Sequence, residues 1–137
     1  MTARVVKDSV DLGLVSRDAA ACVAFYRDVL GLVDLGEGPM PGGTMHRLQC
    51  GTSVLKVISL RREPSASAPP GGLRGATGYR YWTVTIDNLE DVVAAVEAAG
   101  QRVTVPMTEL RPGVTIAMVE DPDGNWVELL QESAPAS

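Results

Sequence analysis

One succession of elements occurs twice along the sequence, and this internal repeat most restricts the folds open to the chain. In each half a strand, a helix and three further strands follow one another. Asp18 is the predicted N-cap of the first helix, and Gly31 ends that helix 13 residues later. Asn88 and Gly100 have the same roles in the second half, 12 residues apart. The repeat predicts an α+β fold made of two βαβββ modules.

The element boundaries follow from side-chain periodicity, because alternating apolar residues predict strands and an apolar stripe predicts each helix. In the first module, residues 8–60, we predict strands 8–16, 32–35, 45–50 and 53–60, a helix from 18 to about 30, and a loop at 36–43. In the second module, residues 79–131, we predict strands 79–86, 102–105, 114–119 and 126–131, a helix at 89–99, and a tight turn at 121–125. Residues 61–78 are a predicted flexible linker, and the Ala/Pro/Ser tail is predicted to be loose.

Composition limits the classes of partner. The 137 residues fit one globular domain, and 17 acidic against 12 basic side chains give a net charge of −5, which disfavours nucleic acid and anionic membranes. No apolar run reaches the length of a membrane span, and the first eight residues lack the apolar core of a signal peptide. Cys22 and Cys50 lie outside any C-x-x-C motif, so we expect a reducing, cytoplasmic setting.

Two motifs resemble those of one superfamily. Residues 25–32, FYRDVLGL, are similar to the F-Y-x-x-x-L-G-L signature of the vicinal oxygen chelate superfamily, and residues 121–129, DPDGNWVEL, are similar to its D-P-D-G-N-x-x-E-L ending. That superfamily includes glyoxalase I, bleomycin-resistance proteins, fosfomycin-resistance enzymes and extradiol dioxygenases. The resemblance implies one domain over residues 1–137, whose two sheets curl around a shared cavity, and a homodimer. It does not imply one reaction, since a fold hosts many functions.

The resemblance also implies where a metal would bind. The ligand positions of metal-using members correspond to Asp11, Lys56, Tyr81 and Glu128, where those members carry His or Gln, Glu, His and Glu. Only Glu128 matches. A protonated lysine has no lone pair to donate, and a neutral phenol is an unusual ligand. We therefore expect no resident cofactor; a divalent metal, if one binds, would be held by Asp11 and Glu128.

Strand alternation independently assigns these four residues to the sheet faces opposite the helices. If they converge, Lys56 stands where a metal ion would otherwise bind, between the carboxylates of Asp11 and Glu128. The sequence thus predicts that this lysine is the positive centre of the cavity. The alternative is that the charges only neutralise one another.

Three further residues are candidate ligand-binding groups. Trp126 has the same strand parity as Glu128 and is predicted to wall the pocket, where a flat aromatic suits a planar or apolar ligand. Thr83 shares its predicted face with Tyr81. His46 is the only histidine, so any mechanism that requires two is excluded. It could move protons if it faces the cavity, and otherwise it is an ordinary structural histidine.

Two classes of function remain open for a small-molecule ligand. In the first, the chain is a lyase- or isomerase-type enzyme in which Glu128 or Asp11 exchanges a proton beside a carbonyl. Lys56 and Tyr81 would then stabilise the developing oxyanion. In the second, it is a non-catalytic drug- or metabolite-binding protein similar to bleomycin-resistance proteins. Metal-dependent glyoxalase or dioxygenase chemistry is a weaker alternative, because three ligand positions depart from the pattern.

Overall fold

A computed structural model describes residues 1–133 of the chain, so the predicted loose tail lies outside the described residues. The chain divides into two compact units, Met1–Ser65 and Ala66–Ser137. The boundary falls within the segment predicted as a linker. Each unit has its own sheet of four strands and its own helix.

The first unit has the predicted βαβββ order. Its strands occur in the sheet in the order β1-β4-β3-β2, with β1 parallel to β4 and the other pairs antiparallel. The elements are β1 (Leu12–Val15), α1 (Ala19–Ala24), a π-helical turn (Phe25–Val29), β2 (Val33–Met40), β3 (Gly43–Cys50) and β4 (Ser53–Leu60).

The helix of this unit begins and ends where the sequence predicts. The Asp18 carboxylate accepts a hydrogen bond from the amide of Ala21 at 3.1 Å, so the predicted N-cap is confirmed. The chain then widens into the π-helical turn, in which the amide of Leu30 donates to the carbonyl of Phe25. Gly31 follows with φ of 78°, a conformation that L side chains rarely adopt.

The core of the first unit explains part of the F-Y motif. Phe25 and Tyr26 are buried and pack edge to face with ring centroids 5.1 Å apart. Leu55 and Val57 of β4 and Leu48 of β3 are also buried and share one sheet face by register. This is the face covered by α1, so the intervening residues of β3 and β4 point to the opposite face.

The second unit has the same topology, with the sheet order β5-β8-β7-β6 and β5 parallel to β8. The α+β class with two βαβββ modules is therefore confirmed. The elements are β5 (Tyr81–Thr85), α2 (Leu89–Ala98), β6 (Val103–Arg111), β7 (Val114–Glu120) and β8 (Trp126–Glu132), preceded by a 3₁₀ turn (Gly72–Arg74).

The cap of α2 differs from the prediction. Asn88 occupies the N-cap position but makes no side-chain capping hydrogen bond. Instead, the side-chain carbonyl of Gln131 on β8 accepts from the amide of Leu89 at 2.7 Å. A residue distant in sequence thus satisfies the helix end, which local spacing does not reveal.

Strand bounds differ most from the prediction at three places: β1 begins at Leu12 instead of residue 8, so Asp11 lies before the strand, and β2 and β6 are longer than predicted. The predicted loop at 36–43 is wrong, because most of it belongs to β2, which forms an antiparallel hairpin with β3. A register shift between Asp34 and Gly36, with Gly36 at φ of 87°, accommodates the glycines and the proline there. In the second unit β6 extends to Arg111 through Pro106. Both are outer strands of their sheets, where proline and glycine are tolerated.

The predicted flexible linker is tied down in its second half. The guanidinium of Arg80 donates to the carbonyl of Gly72 at 2.6 Å and to that of Pro69 at 2.7 Å. Gly72 lies directly against the indole of Trp126, since a Cβ on it would lie 2.0 Å from the ring. Proline-rich composition could not reveal an anchor supplied by a residue outside the segment.

Among the described residues, the helices are all too short or too polar to cross a membrane.

Candidate active site

The candidate site in the second unit is centred on Glu128, which β8 and β5 position together. Val127 and Leu129, its neighbours on β8, are fully buried, so Glu128 points to the face opposite α2. Thr83 is its direct partner on β5, and the Thr83 hydroxyl donates to Oε1 of Glu128 at 2.9 Å. Within residues 66–133 the half-buried carboxylate makes no ion pair. Its second oxygen is therefore available to accept a proton.

The turn before β8 has a structural role. Asp121 is buried, and its carboxylate accepts from the amides of Asp123 and Asn125, both at 2.9 Å. The side-chain amide of Asn125 donates to the other oxygen at 3.0 Å. The D-P-D-G-N motif thus fixes the direction in which the chain enters β8, and hence the placement of Glu128 two residues after Trp126.

Tyr81 and Trp126 occupy the neighbouring register position on this face. Tyr81 is 45% exposed, so its phenol is accessible to a ligand. Trp126 is half-buried; its indole N–H donates to Glu120 at 3.2 Å, and Gly72 covers part of its ring. Only the remainder of the ring could line a pocket, which narrows the predicted role of this tryptophan.

In the first unit Asp11 makes hydrogen bonds with groups other than Lys56, its predicted partner. Oδ1 of Asp11 accepts from Nζ of Lys7 and from the amide of Val54, each at 2.8 Å. The hydrogen bond from Lys7, followed by that from Val54, holds the pKa of Asp11 below its usual range, and the charge of Lys56 adds the smallest contribution. Asp11 therefore fastens the N-terminal segment to β4.

Lys56 is half-buried on the face opposite α1, and within residues 1–65 it makes no ion pair. In this unit the predicted Asp11–Lys56 bridge is replaced by the bridge from Lys7. The cross-strand partner of Lys56 on β3 is Arg47, which the sequence pattern did not single out. The alternation of β3 could have identified Arg47, since it lies one position from the buried Leu48. That the groups of both units share one cavity stays a prediction.

His46 lies on the helix-covered side of the first sheet, two residues from Leu48. Its Nε2 contacts Oδ1 of Asp34 at 2.6 Å, and its Nδ1 is 3.9 Å from Glu37. Asp34 also accepts from the amide of Gly36, and these contacts hold the pKa of Asp34 below its usual range. The structure thus gives His46 the ordinary structural role and does not place it on the face of Lys56.

The residues at the four family ligand positions do not fit a divalent ion. Lys56 offers a cation, Tyr81 a neutral phenol, and the Oδ1 of Asp11 already accepts two hydrogen bonds. Among the described residues, no group of three or more His, Cys, Asp or Glu side chains could hold a metal.

Comparisons with known proteins agree with the βαβββ topology of the two units. Residues 9–129 match the family model of the glyoxalase/bleomycin resistance protein/dioxygenase superfamily. The chain belongs to this superfamily.

Solved structures of superfamily members resemble the chain. A glyoxalase family protein from Bacillus cereus is 13% identical with a TM-score of 0.84, and the match covers 98% of this chain and 99% of that one. A lactoylglutathione lyase from Agrobacterium tumefaciens is 26% identical with a TM-score of 0.63, covering 90% and 92%. The trypanothione-dependent glyoxalase I of Leishmania major is 22% identical with a TM-score of 0.67, covering 89% and 84%. A search of proteins with curated descriptions gave no significant match.

Proposed function

We propose that this superfamily member is a small-molecule enzyme of the lyase or isomerase type, in which Glu128 transfers a proton at a carbon beside a carbonyl. The observation that carries the proposal is the Glu128 carboxylate itself. It is half-buried, held through one oxygen by Thr83, and without an ion pair in its unit. The similarity to a lactoylglutathione lyase supports the same class of chemistry.

The proposed step uses only protein side chains. The free oxygen of Glu128 removes the proton of a C–H group next to the carbonyl, and the electron pair moves onto the carbonyl oxygen. The phenol of Tyr81, on the same strand face as Thr83, donates to that oxyanion. Glu128 then returns the proton to carbon. A contribution of Lys56 to the same oxyanion stays a prediction.

Deuterium exchange tests the proton transfer directly. In heavy water, exchange at the carbon beside the carbonyl is followed by NMR for a panel of α-hydroxy carbonyl compounds that includes lactoylglutathione. We expect Glu128→Gln to slow exchange by about two to four powers of ten, because it removes the proton acceptor. Glu132→Gln is the matched control, since Glu132 lies on the same face of β8 and is exposed.

The alternative is a non-catalytic binder similar to bleomycin-resistance proteins, and the same experiment separates the two. If no panel member exchanges and Glu128→Gln binds the panel as the wild type does, the enzyme proposal is wrong.

Thr83 is a positioning residue in the proposed proton transfer by Glu128. Thr83→Val is expected to lower kcat about tenfold with little change in KM, and Thr83→Ser is expected to restore it.

The cellular setting belongs to the same proposal. Cys22 is buried and Cys50 half-buried, and neither forms a disulfide within the described part of the chain. Burial also raises the pKa of the Cys50 thiol, which makes it less reactive. The two free thiols support a cytoplasmic enzyme.

A further inference from the structure

Two cationic side chains stand side by side on the first sheet. Arg47 of β3 and Lys56 of β4 are direct cross-strand partners. Both project to the face opposite α1, because Leu48 and Leu55 next to them are buried on the helix side. Like charges directly opposite each other destabilise a sheet. An anion bound between the two side chains would relieve this repulsion.

Among residues 1–65 no carboxylate forms an ion pair with Arg47 or Lys56, and all seven acidic side chains make other contacts; Asp11 senses the charge of Lys56 without pairing with it. Asp11 is bonded to Lys7 and to the amide of Val54, and Asp18 caps α1. The other five form these contacts: Asp8 with Thr52, Asp28 with Arg27, Asp34 with His46 and Arg27, Glu37 with His46, and Glu63 with Arg17.

The strand beside Lys56 leaves room for a ligand. Its partner on β1 is Gly13, so the row across the sheet reads Arg47, Lys56, Gly13. A Cβ on Gly13 would find only Ile58 Cδ1 within 4 Å, at 3.9 Å. The backbone of Gly13 does not have a positive φ. A glycine is thus not required by conformation here, and its effect is open space beside the ammonium.

The next row on this face is apolar. It consists of Met45, Ile58 and Val15, which are partners across β3, β4 and β1. A ligand lying along β4 would therefore meet two cations at one end and aliphatic surface at the other. An arginine binds a planar oxyanion through two parallel hydrogen bonds, and a lysine adds a point charge.

We propose that Arg47 and Lys56 form a binding site for the oxyanion group, a carboxylate or a phosphate, of a small molecule whose apolar part lies on Met45, Ile58 and Val15. The net charge of −5 and the small size of the cationic pair favour a small anion over a nucleic acid. This inference does not rest on the proton transfer by Glu128, because it concerns binding alone.

NMR titration of the ¹⁵N-labelled full chain tests the site. The probes are inorganic phosphate, hexyl phosphate and hexanoate, with sodium chloride at equal ionic strength as reference. We expect saturable shifts of the Gly13, Arg47 and Lys56 amides, and tighter binding of hexyl phosphate than of inorganic phosphate. Stronger binding of hexyl phosphate than of hexanoate assigns a phosphate ligand, and the reverse order assigns a carboxylate.

Three variants connect the shifts to the site. Arg47→Gln and Lys56→Gln are each expected to weaken binding about tenfold, since each removes one charged hydrogen-bond donor. Gly13→Val keeps both charges and is expected to weaken binding by filling the space beside Lys56. Arg61→Gln is the matched control, because Arg61 is exposed and outside the sheet. Shifts that equal those in sodium chloride, or that persist in the double variant R47Q/K56Q, would overturn the proposal.

Discussion

Asp34 is the residue on which the polar contacts of the first unit converge. Its carboxylate accepts from the amide of Gly36 at 2.7 Å, contacts His46 at 2.6 Å and lies 3.5 Å from Arg27. The hydrogen bond from Gly36, then that from His46, lowers the pKa of Asp34 in the folded protein. A depressed folded-state pKa stabilises the fold at pH values above the unfolded pKa. That stabilisation is lost as the pH falls through the lower folded value.

Asp34→Asn is therefore expected to lower the free energy of unfolding at about pH 6, with the difference from wild type shrinking by about pH 3, below the ordinary aspartate pKa. Urea denaturation at the two pH values measures both quantities. Asp87→Asn is the control, because Asp87 is exposed and without a hydrogen bond or ion pair among residues 66–133. A difference that is equally large in acid would contradict the role given to the charged carboxylate.

At this scale the sequence identified side chains more successfully than their partners. Glu128 and Thr83 belong to adjacent strands, and parity placed Glu128 with Trp126 and Thr83 with Tyr81 on the faces where the structure has them. The bond of Asp11 to Lys7 was not predicted, since alternation assigned residues 8–16 to one strand, whereas Lys7 and Asp11 both precede β1. Nor was the contact of His46 with Asp34, which depends on the register of two strands whose lengths were wrongly assigned.

At the scale of elements, the two helices differ in how they begin. Asp18 caps α1 with its own side chain, whereas Gln131 of β8 bonds the first amide of α2. Asp18→Ala is expected to cost about 1 kcal/mol of unfolding free energy, and Asn88→Ala distinctly less. Chemical denaturation of both variants checks the contrast. Equal losses would show that Asn88 caps α2 in solution.

The segment before β5 depends on one glycine. A side chain on Gly72 would collide with the Trp126 indole, and the positive φ of 54° adds strain. We expect Gly72→Ala to lower stability by about 2 kcal/mol or more and to change tryptophan fluorescence. Gly78→Ala is the matched control, with φ of 96° in the same segment and nothing within 4 Å of its Cβ. Similar losses in both variants would mean that backbone strain at positive φ, and not the collision with Trp126, lowers the stability.

At the scale of the whole molecule, the repeat predicted the fold because both modules carry an Asp or Asn before the helix, a glycine after it and the same strand order. It could not predict the ends of β2 and β6, where glycine and proline interrupt the apolar alternation on outer strands. It also missed Arg47: alternation along β3 indicates the face of this arginine, but only the strand register shows that it lies beside Lys56.

The outer strands also bear on assembly. Leu35 on β2 and Leu110 on β6 are exposed, and outer strands with apolar side chains favour pairing between chains. We expect a homodimer of twice the 14.5 kDa chain mass by sedimentation velocity at micromolar concentration. Leu110→Lys should weaken it, whereas Leu73→Lys should not, although the two leucines are 55% and 56% exposed. A monomeric wild type would contradict this expectation.

The strand orders also determine when each sheet can form during synthesis. The last strand of each unit, β4 or β8, lies inside its sheet, between the first strand and the hairpin of the other two. The earlier sheet can close once Leu60 has left the ribosome, but the later one must wait for Trp126–Glu132. Until its unit's last strand is made, the first strand of each half, β1 or β5, has no neighbour to pair with, so both nascent halves expose an unpaired strand in turn.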